Sequence, residues 1–165
     1  MKASLIVRTY ATYALGIVTG AMLEEYALLE VVLADLPANE WAQVHAKFGD
    51  LHPYTVVPLA GSGTLALFVA IALERDFRSR RAMWSGMAAV VGLAIGVLTM
   101  AIMFPMNAAI AELARSGVPD AFADLRDRWT TLQGVRALLA SVAFFGLVLA
   151  AQSGGLDGSR ARRQA

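Results

Sequence analysis

A small set of side chains in this sequence has the chemistry to do more than pack: Glu24, Glu25, His45, His52, Asn107, Trp129, Gln133 and Arg136. Carboxylates and imidazoles remove and return protons. An amide and a guanidinium stabilise a developing oxyanion. Trp129, Gln133 and Arg136 are spaced i, i+4, i+7 and so share one helix face. His45 and His52 are i, i+7, and with Glu25 they have donor types that suit zinc, iron or copper. Against a metal, His52 precedes Pro53, which pushes it out of the α region, and no HxxxH or ExxH pattern is present. No cofactor is therefore expected, with a metal at His45, His52 and Glu25 the weaker alternative.

These groups must be positioned by elements suited to an unusual solvent. Of 165 residues, 58% are hydrophobic and only 16% charged, with a mean hydropathy of +0.57. Soluble domains carry about 25% charged residues, so the composition points to a bilayer as partner. A net charge of +1 gives no basis for nucleic-acid binding, and the absence of cysteine excludes disulfides and thiolate chemistry. No P-loop, dinucleotide fingerprint or nucleophile elbow is present. A hydrocarbon core needs about 20 apolar residues per helical crossing. Four segments qualify: Leu5 to Leu33, Pro53 to Leu73, Trp84 to Phe104, and Leu132 to Ala151. The expected fold is an all-α, four-helix transmembrane bundle over residues 1–152, followed by an unstructured basic tail, 153–165. The first segment is longer than a signal-peptide core and reads as a retained helix.

With four crossings, Lys2, Arg8, Arg75, Arg78, Arg80, Arg81, Arg160, Arg162 and Arg163 share one side. Lys47, Arg115, Arg126 and Arg128 lie on the other. The positive-inside rule then places both termini in the cytoplasm, at a bacterial inner membrane. In that orientation every helix brings its polar residues to the non-cytoplasmic end. Arg136 near the bilayer interior costs roughly 2.5–3.5 kcal/mol and is expected to face inward and pair with Glu24 or Glu25. Asn39 is a candidate cap for a helix projecting from the membrane, and Pro105 is expected to end the third helix, with Asn107 as a cap. Trp41, Trp84 and Trp129 fit an interfacial aromatic belt. Gly16, Gly20, Gly92 and Gly96 fit close helix packing.

The segments "FPMNAAIAEL" and "DLRDRWTTLQGVRALLASVAF" resemble the anthrone-oxygenase-like integral membrane family, a domain of unknown function. Members pair a P-x-N motif ending helix three with W-x-x-x-H-x-x-R opening helix four. Pro105 and Asn107 match the first, and Trp129 and Arg136 the second. The outer glutamate of helix one is matched by Glu24 or Glu25, and an "LP…W…H" segment by Leu36, Pro37, Trp41 and His45. One position departs: the family's histidine is Gln133 here. Glutamine cannot shuttle a proton near neutral pH, so the resemblance leaves any such role to His45 or His52.

The resemblance implies a four-helix membrane protein that oxygenates a small hydrophobic, polycyclic or quinone-like substrate arriving from the lipid. Glu25 or His52 would remove a proton, and Asn107 and Arg136 would stabilise the resulting oxyanion. Glu24, His45, Trp129 and Gln133 would contact the substrate. Two other readings use the same residues: a non-enzymatic membrane subunit held together by the polar cluster, and a small-molecule exporter using a helix-one glutamate. Neither the substrate nor any homo-oligomer can be read from the sequence.

Overall fold

The computed structural model describes residues 2–51, 54–74, 76–117 and 122–163, with side chains between 4 and 153 of that set. It is all-helical, with no strand among the described residues. Helix α1 spans Lys2–Ala27 and widens into a π turn over Leu28–Val32. Then follow α2 (Ala38–Leu51), α3 (Val56–Ala72), α4 (Arg80–Leu98), a second π turn (Thr99–Met103), α5 (Phe104–Ser116) and α6 (Phe122–Arg163). Helix α6 thus continues through Arg163, into the stretch expected to lack structure.

Local chemistry explains most boundaries. Ser79 caps α4 by accepting from the Ala82 amide at 3.2 Å. Gly117 ends α5 with a φ of 103°, which an L side chain rarely adopts. Helix α2 begins at Ala38, with the Pro37 carbonyl accepting from the Trp41 amide, so Asn39 lies in the first turn and is not the cap. The largest difference from expectation is at Pro105. A proline in a helix lacks an N–H and presses on the carbonyl four residues back, here Ala101. The helix accommodates this by widening over Thr99–Met103 and then continues to Ser116. Asn107 is therefore inside a continuous 37-residue rod, Arg80–Ser116, and caps nothing.

Among the described residues two helices are long and apolar enough to cross a membrane, Arg80–Ser116 and Phe122–Ser153. A third is gained if α2 and α3, which meet at 48°, are one broken span. The sequence led us to expect four. At 1.5 Å per residue the rod is about 55 Å long, well beyond a hydrocarbon core of about 30 Å. Its α5 end packs on α2, while α1 packs on α3 and α6, and α4 on α6. Helices α3 and α4 touch only sparsely.

The core is built from small residues. Ala11, Ala14, Ala88, Ala89, Ala137 and Ala140 are buried, while Leu5, Ile6, Leu65, Leu93 and Leu138 face outward. That distribution suits an apolar solvent, in which close backbone approach and not exclusion of large side chains drives helix association. A cap of larger buried side chains, including Leu29, Trp41, Phe122 and Trp129, lies where the π turns, α2, α5 and the start of α6 meet. Gly63 shows how tight the α1–α3 seam is, since a Cβ there would lie 3.0 Å from the Ala14 Cβ. Gly63→Leu should lower unfolding stability in detergent by about 1–3 kcal/mol through overpacking. Gly20→Leu, where a Cβ meets nothing within 4 Å, should leave the thermal midpoint unchanged or slightly raised.

Candidate functional site

Helix phase settles which glutamate faces inward. Glu25 is buried, whereas Glu24, one residue and about 100° earlier, is exposed. Across from Glu25, one face of α6 presents Trp129, Gln133 and Arg136, all buried as their spacing predicts. Gln133 links the two helices. Its Nε2 donates to Glu25 Oε2 at 2.8 Å and to the Met22 carbonyl at 3.3 Å. Its Oε1 accepts from Arg136 Nη1 at 2.8 Å. The amide dipole thus lies between carboxylate and guanidinium with each end on the opposite charge. Arg136 Nε has no hydrogen-bond partner among the described residues.

A neutral imidazole has the same pattern of one donor and one acceptor. Gln133 can therefore occupy a histidine's place in the chain of hydrogen bonds while lacking its capacity to carry a proton.

A second group forms beneath the cap. His45 stacks on Trp41, with ring centroids 5.1 Å apart, and meets Trp129 edge-on at 4.5 Å. Trp129 Nε1 donates to Asn107 Oδ1 at 2.7 Å. With its carbonyl oxygen engaged, the Asn107 amide has its NH2 group to offer as a donor. Trp41 Nε1 donates to the Leu29 carbonyl at 3.2 Å, a group inside the first π turn. Trp41 and Trp129 are therefore core residues, 0% and 1% exposed, not members of an interfacial belt.

Glu25, His45, Asn107 and Arg136 line one cavity of about 840 Å³. Its remaining lining is mostly apolar, comes from all six helices with α3 contributing most, and includes Asp50 of α2. Trp129 and Gln133 stand behind this wall and position the residues that line it. Glu24 is not part of the lining, and His52 lies outside the described residues. No group of three or more His, Asp or Glu side chains is arranged to hold a metal among the described residues. Gly92 and Gly96 line this cavity, with open space where a Cβ would be, so they do not pack helices as expected. Gly16 does, against the Phe144 ring.

Sequence reasoning did not find two anchors. Arg126 lies 5.0 Å over the Trp41 ring and donates to the carbonyls of Leu33, Ala34 and Leu36, closing the chain reversal after the first π turn. Thr130 donates to Glu30 one turn away. Nothing in the charged stretch "DLRDRW" distinguishes Arg126 from Arg128, except that it falls three residues before Trp129 and so on the same face. At the opposite end Arg8, expected to act as a topology signal, is buried and paired with Glu74.

The described residues are all helical, with helices apolar enough to cross a bilayer and ionisable groups buried between them, which fits an integral membrane protein. The family model for anthrone oxygenase matches residues 51–146, more than half of the sequence, and the chain belongs to that family. The match includes Asn107, Trp129, Gln133 and Arg136, and stops short of Glu25 and His45. No curated protein and no solved structure matches the chain.

The bridging amide makes a direct prediction. Gln133→Leu leaves a buried carboxylate and guanidinium without their shared partner and should cost roughly 2–3 kcal/mol in unfolding stability. Gln133→His, which can restore the bonds to Glu25 and from Arg136 but not the one to the Met22 carbonyl, should unfold within about 1 kcal/mol of the parent. Equal losses in the two variants would show that the bridge contributes nothing beyond side-chain shape.

Proposed function

We propose that this protein is a membrane-embedded oxygenase of small hydrophobic carbon acids. In this reading α1, the bent α2–α3 pair, the α4–α5 rod and α6 form a four-helix transmembrane bundle. Both termini lie in the cytoplasm of a bacterial inner membrane, and the cavity's polar end lies towards the other side. One observation carries the reading: in a chain of the anthrone oxygenase family, Glu25 and Arg136 line one mostly apolar cavity together with His45, Asp50 and Asn107.

The residues support a proton transfer followed by oxygenation. An anthrone-like substrate has a CH2 group between two aryl rings, conjugated to a ketone. The Glu25 carboxylate removes a proton from that carbon, and the electron pair delocalises onto the ketone oxygen. Arg136 and the Asn107 NH2 group stabilise this oxyanion. The carbanion's electron pair passes to dioxygen, and Glu25 returns its proton to give a hydroperoxide. Loss of water leaves a second carbonyl, so CH2 and O2 become C=O and H2O, with dioxygen as the oxidant. His45, held by two tryptophans, positions the Asn107 side of the site.

Arg136→Ala and Glu25→Gln, reconstituted in proteoliposomes, should each lower anthrone-dependent oxygen uptake by about 100-fold or more, the loss typical of removing an oxyanion donor or a general base. Unchanged uptake in both correctly inserted variants rejects the reading. The Glu25–Gln133–Arg136 chain favours one rival, a non-enzymatic subunit in which it fastens α1 to α6. That rival requires Arg136→Ala to lower the thermal midpoint while the parent shows no oxygen uptake at all. The orientation is tested separately, because the chain has no cysteine. Phe77→Cys should react with an impermeant maleimide only from the cytoplasmic side, and Ser116→Cys only from the opposite side.

A further inference from the structure

The cavity is longer than a bilayer's hydrocarbon core. Along the α4–α5 rod its lining runs from Ala88 to Ala111, about 35 Å at 1.5 Å per residue, against a core of about 30 Å. Charge fixes the level of its far end. Between Arg81 and Glu112 the rod carries no charged residue, a stretch of about 46 Å, close to the roughly 40–45 Å of a bilayer with its headgroups. Glu112 is exposed, so its neighbour Ala111 lies level with the aqueous edge.

Helix α2 supplies an independent sign of water at that end. His45, Ala46, Gly49 and Asp50 line the cavity from one face of α2. His45 is 2% exposed, whereas Asp50, about 7 Å further along the helix, is exposed. An exposed carboxylate in hydrocarbon is costly, so Asp50 faces water or headgroups. Because it also lines the cavity, the cavity opens there. On α5, Ala108 is likewise both exposed and part of the lining.

Among the described residues, the charged or titratable groups on the cavity wall are Glu25 from α1, His45 and Asp50 from α2, and Arg136 from α6. Helices α3, α4 and α5 bring none. Glu25 has no proton carrier behind it on α6. Gln133, its hydrogen-bond partner, does not titrate near neutral pH, and Arg136 is already fully protonated. A proton passing between Glu25 and bulk water therefore travels along the cavity wall.

We propose that the cavity has a water-filled mouth beside α2 and α5, where Asp50 selects protons and small cations over anions and gives Glu25 its exchange with bulk water. An exposed carboxylate at the rim of a low-dielectric cleft concentrates cations and repels anions. In the outward direction the Glu25 acid gives its proton to cavity water, leaving a carboxylate and a hydronium ion. Asp50 accepts that proton and releases it to bulk. The mouth stands on geometry alone. The proton path rests on the proposed role of Glu25 as the base.

The two parts are tested separately. The chain has no cysteine, so Ala46→Cys and Ala108→Cys are clean reporters of the mouth in nanodiscs. The probes are trimethylammonium-ethyl and sulfonatoethyl methanethiosulfonate, each rate taken relative to that with free 2-mercaptoethanol. Both sites should favour the cationic reagent by at least about five-fold, and Asp50→Asn should remove that preference. Failure of both sites to react overturns the water-filled mouth, and a preference that survives Asp50→Asn overturns the role of Asp50. The proton path is read under nitrogen, from exchange of the anthrone CH2 hydrogens with D2O above a protein-free control. Asp50→Asn should slow this exchange by at least about five-fold, and added formate should restore it, which a merely structural loss would not allow. Exchange at the parental rate in Asp50→Asn overturns the path, as does a parent that consumes oxygen and exchanges nothing. A parent that does neither overturns the oxygenase reading and the path with it, while the thiol reactions still decide the mouth.

Discussion

A guanidinium held among hydrocarbon cannot rely on water, and the arrangement of this bundle follows from how Arg136 is satisfied. Its Nη1 hydrogen bond goes to a residue of its own helix, Gln133, whose amide carries the interaction on to Glu25 of α1. The two charges are therefore joined through a neutral dipole that fits only when α1 and α6 lie at one spacing and one rotation. Once α1 is docked on α6, the other helices have little freedom. Helix α3 packs on α1 and α4 on α6, so α3 and α4 flank a central pair and touch each other only sparsely. The cavity is what remains between them.

The cap at the polar end solves a different problem. A buried imidazole, an asparagine and two indoles need partners for their polar atoms while excluding water. Trp41 obtains one from a carbonyl in a π turn, where the backbone departs from regular helical bonding. Trp129 obtains one from Asn107. Arg126 covers the Trp41 ring and ties down the turn that follows. Aromatic faces and polar tips are thus satisfied together, as buried tryptophans generally require.

How far the sequence was legible depended on whether a feature follows from helical period alone. The shared face of Trp129, Gln133 and Arg136 does, and it is as expected. The choice between Glu24 and Glu25 does not, because neighbours in sequence differ only in helix phase, which is fixed by tertiary packing. Trp41 and Trp129 differ from expectation for a related reason: an indole near the end of a span looks interfacial until another helix is seen to cover it. Glycine pairs four residues apart look alike whether the facing surface is a helix or a void. Thus Gly16 packs on Phe144 while Gly96 faces open space. Proline was the least transparent signal. Pro105 was expected to stop a helix, and the chain instead absorbs it one turn earlier and continues.

That absorption has a geometric consequence for the whole rod. A π turn is a helix carrying one surplus residue, which shifts the angular phase of everything beyond it by about 100° relative to an unbroken α-helix. The stripe that α4 turns toward α6 and the stripe that α5 turns toward α2 therefore obey separate phases, although they belong to one continuous element. Each half of the rod can meet its own neighbours without compromise from the other. The surplus residue acts as a coupling joint, letting the two halves of the rod follow separate packing codes on a single axis.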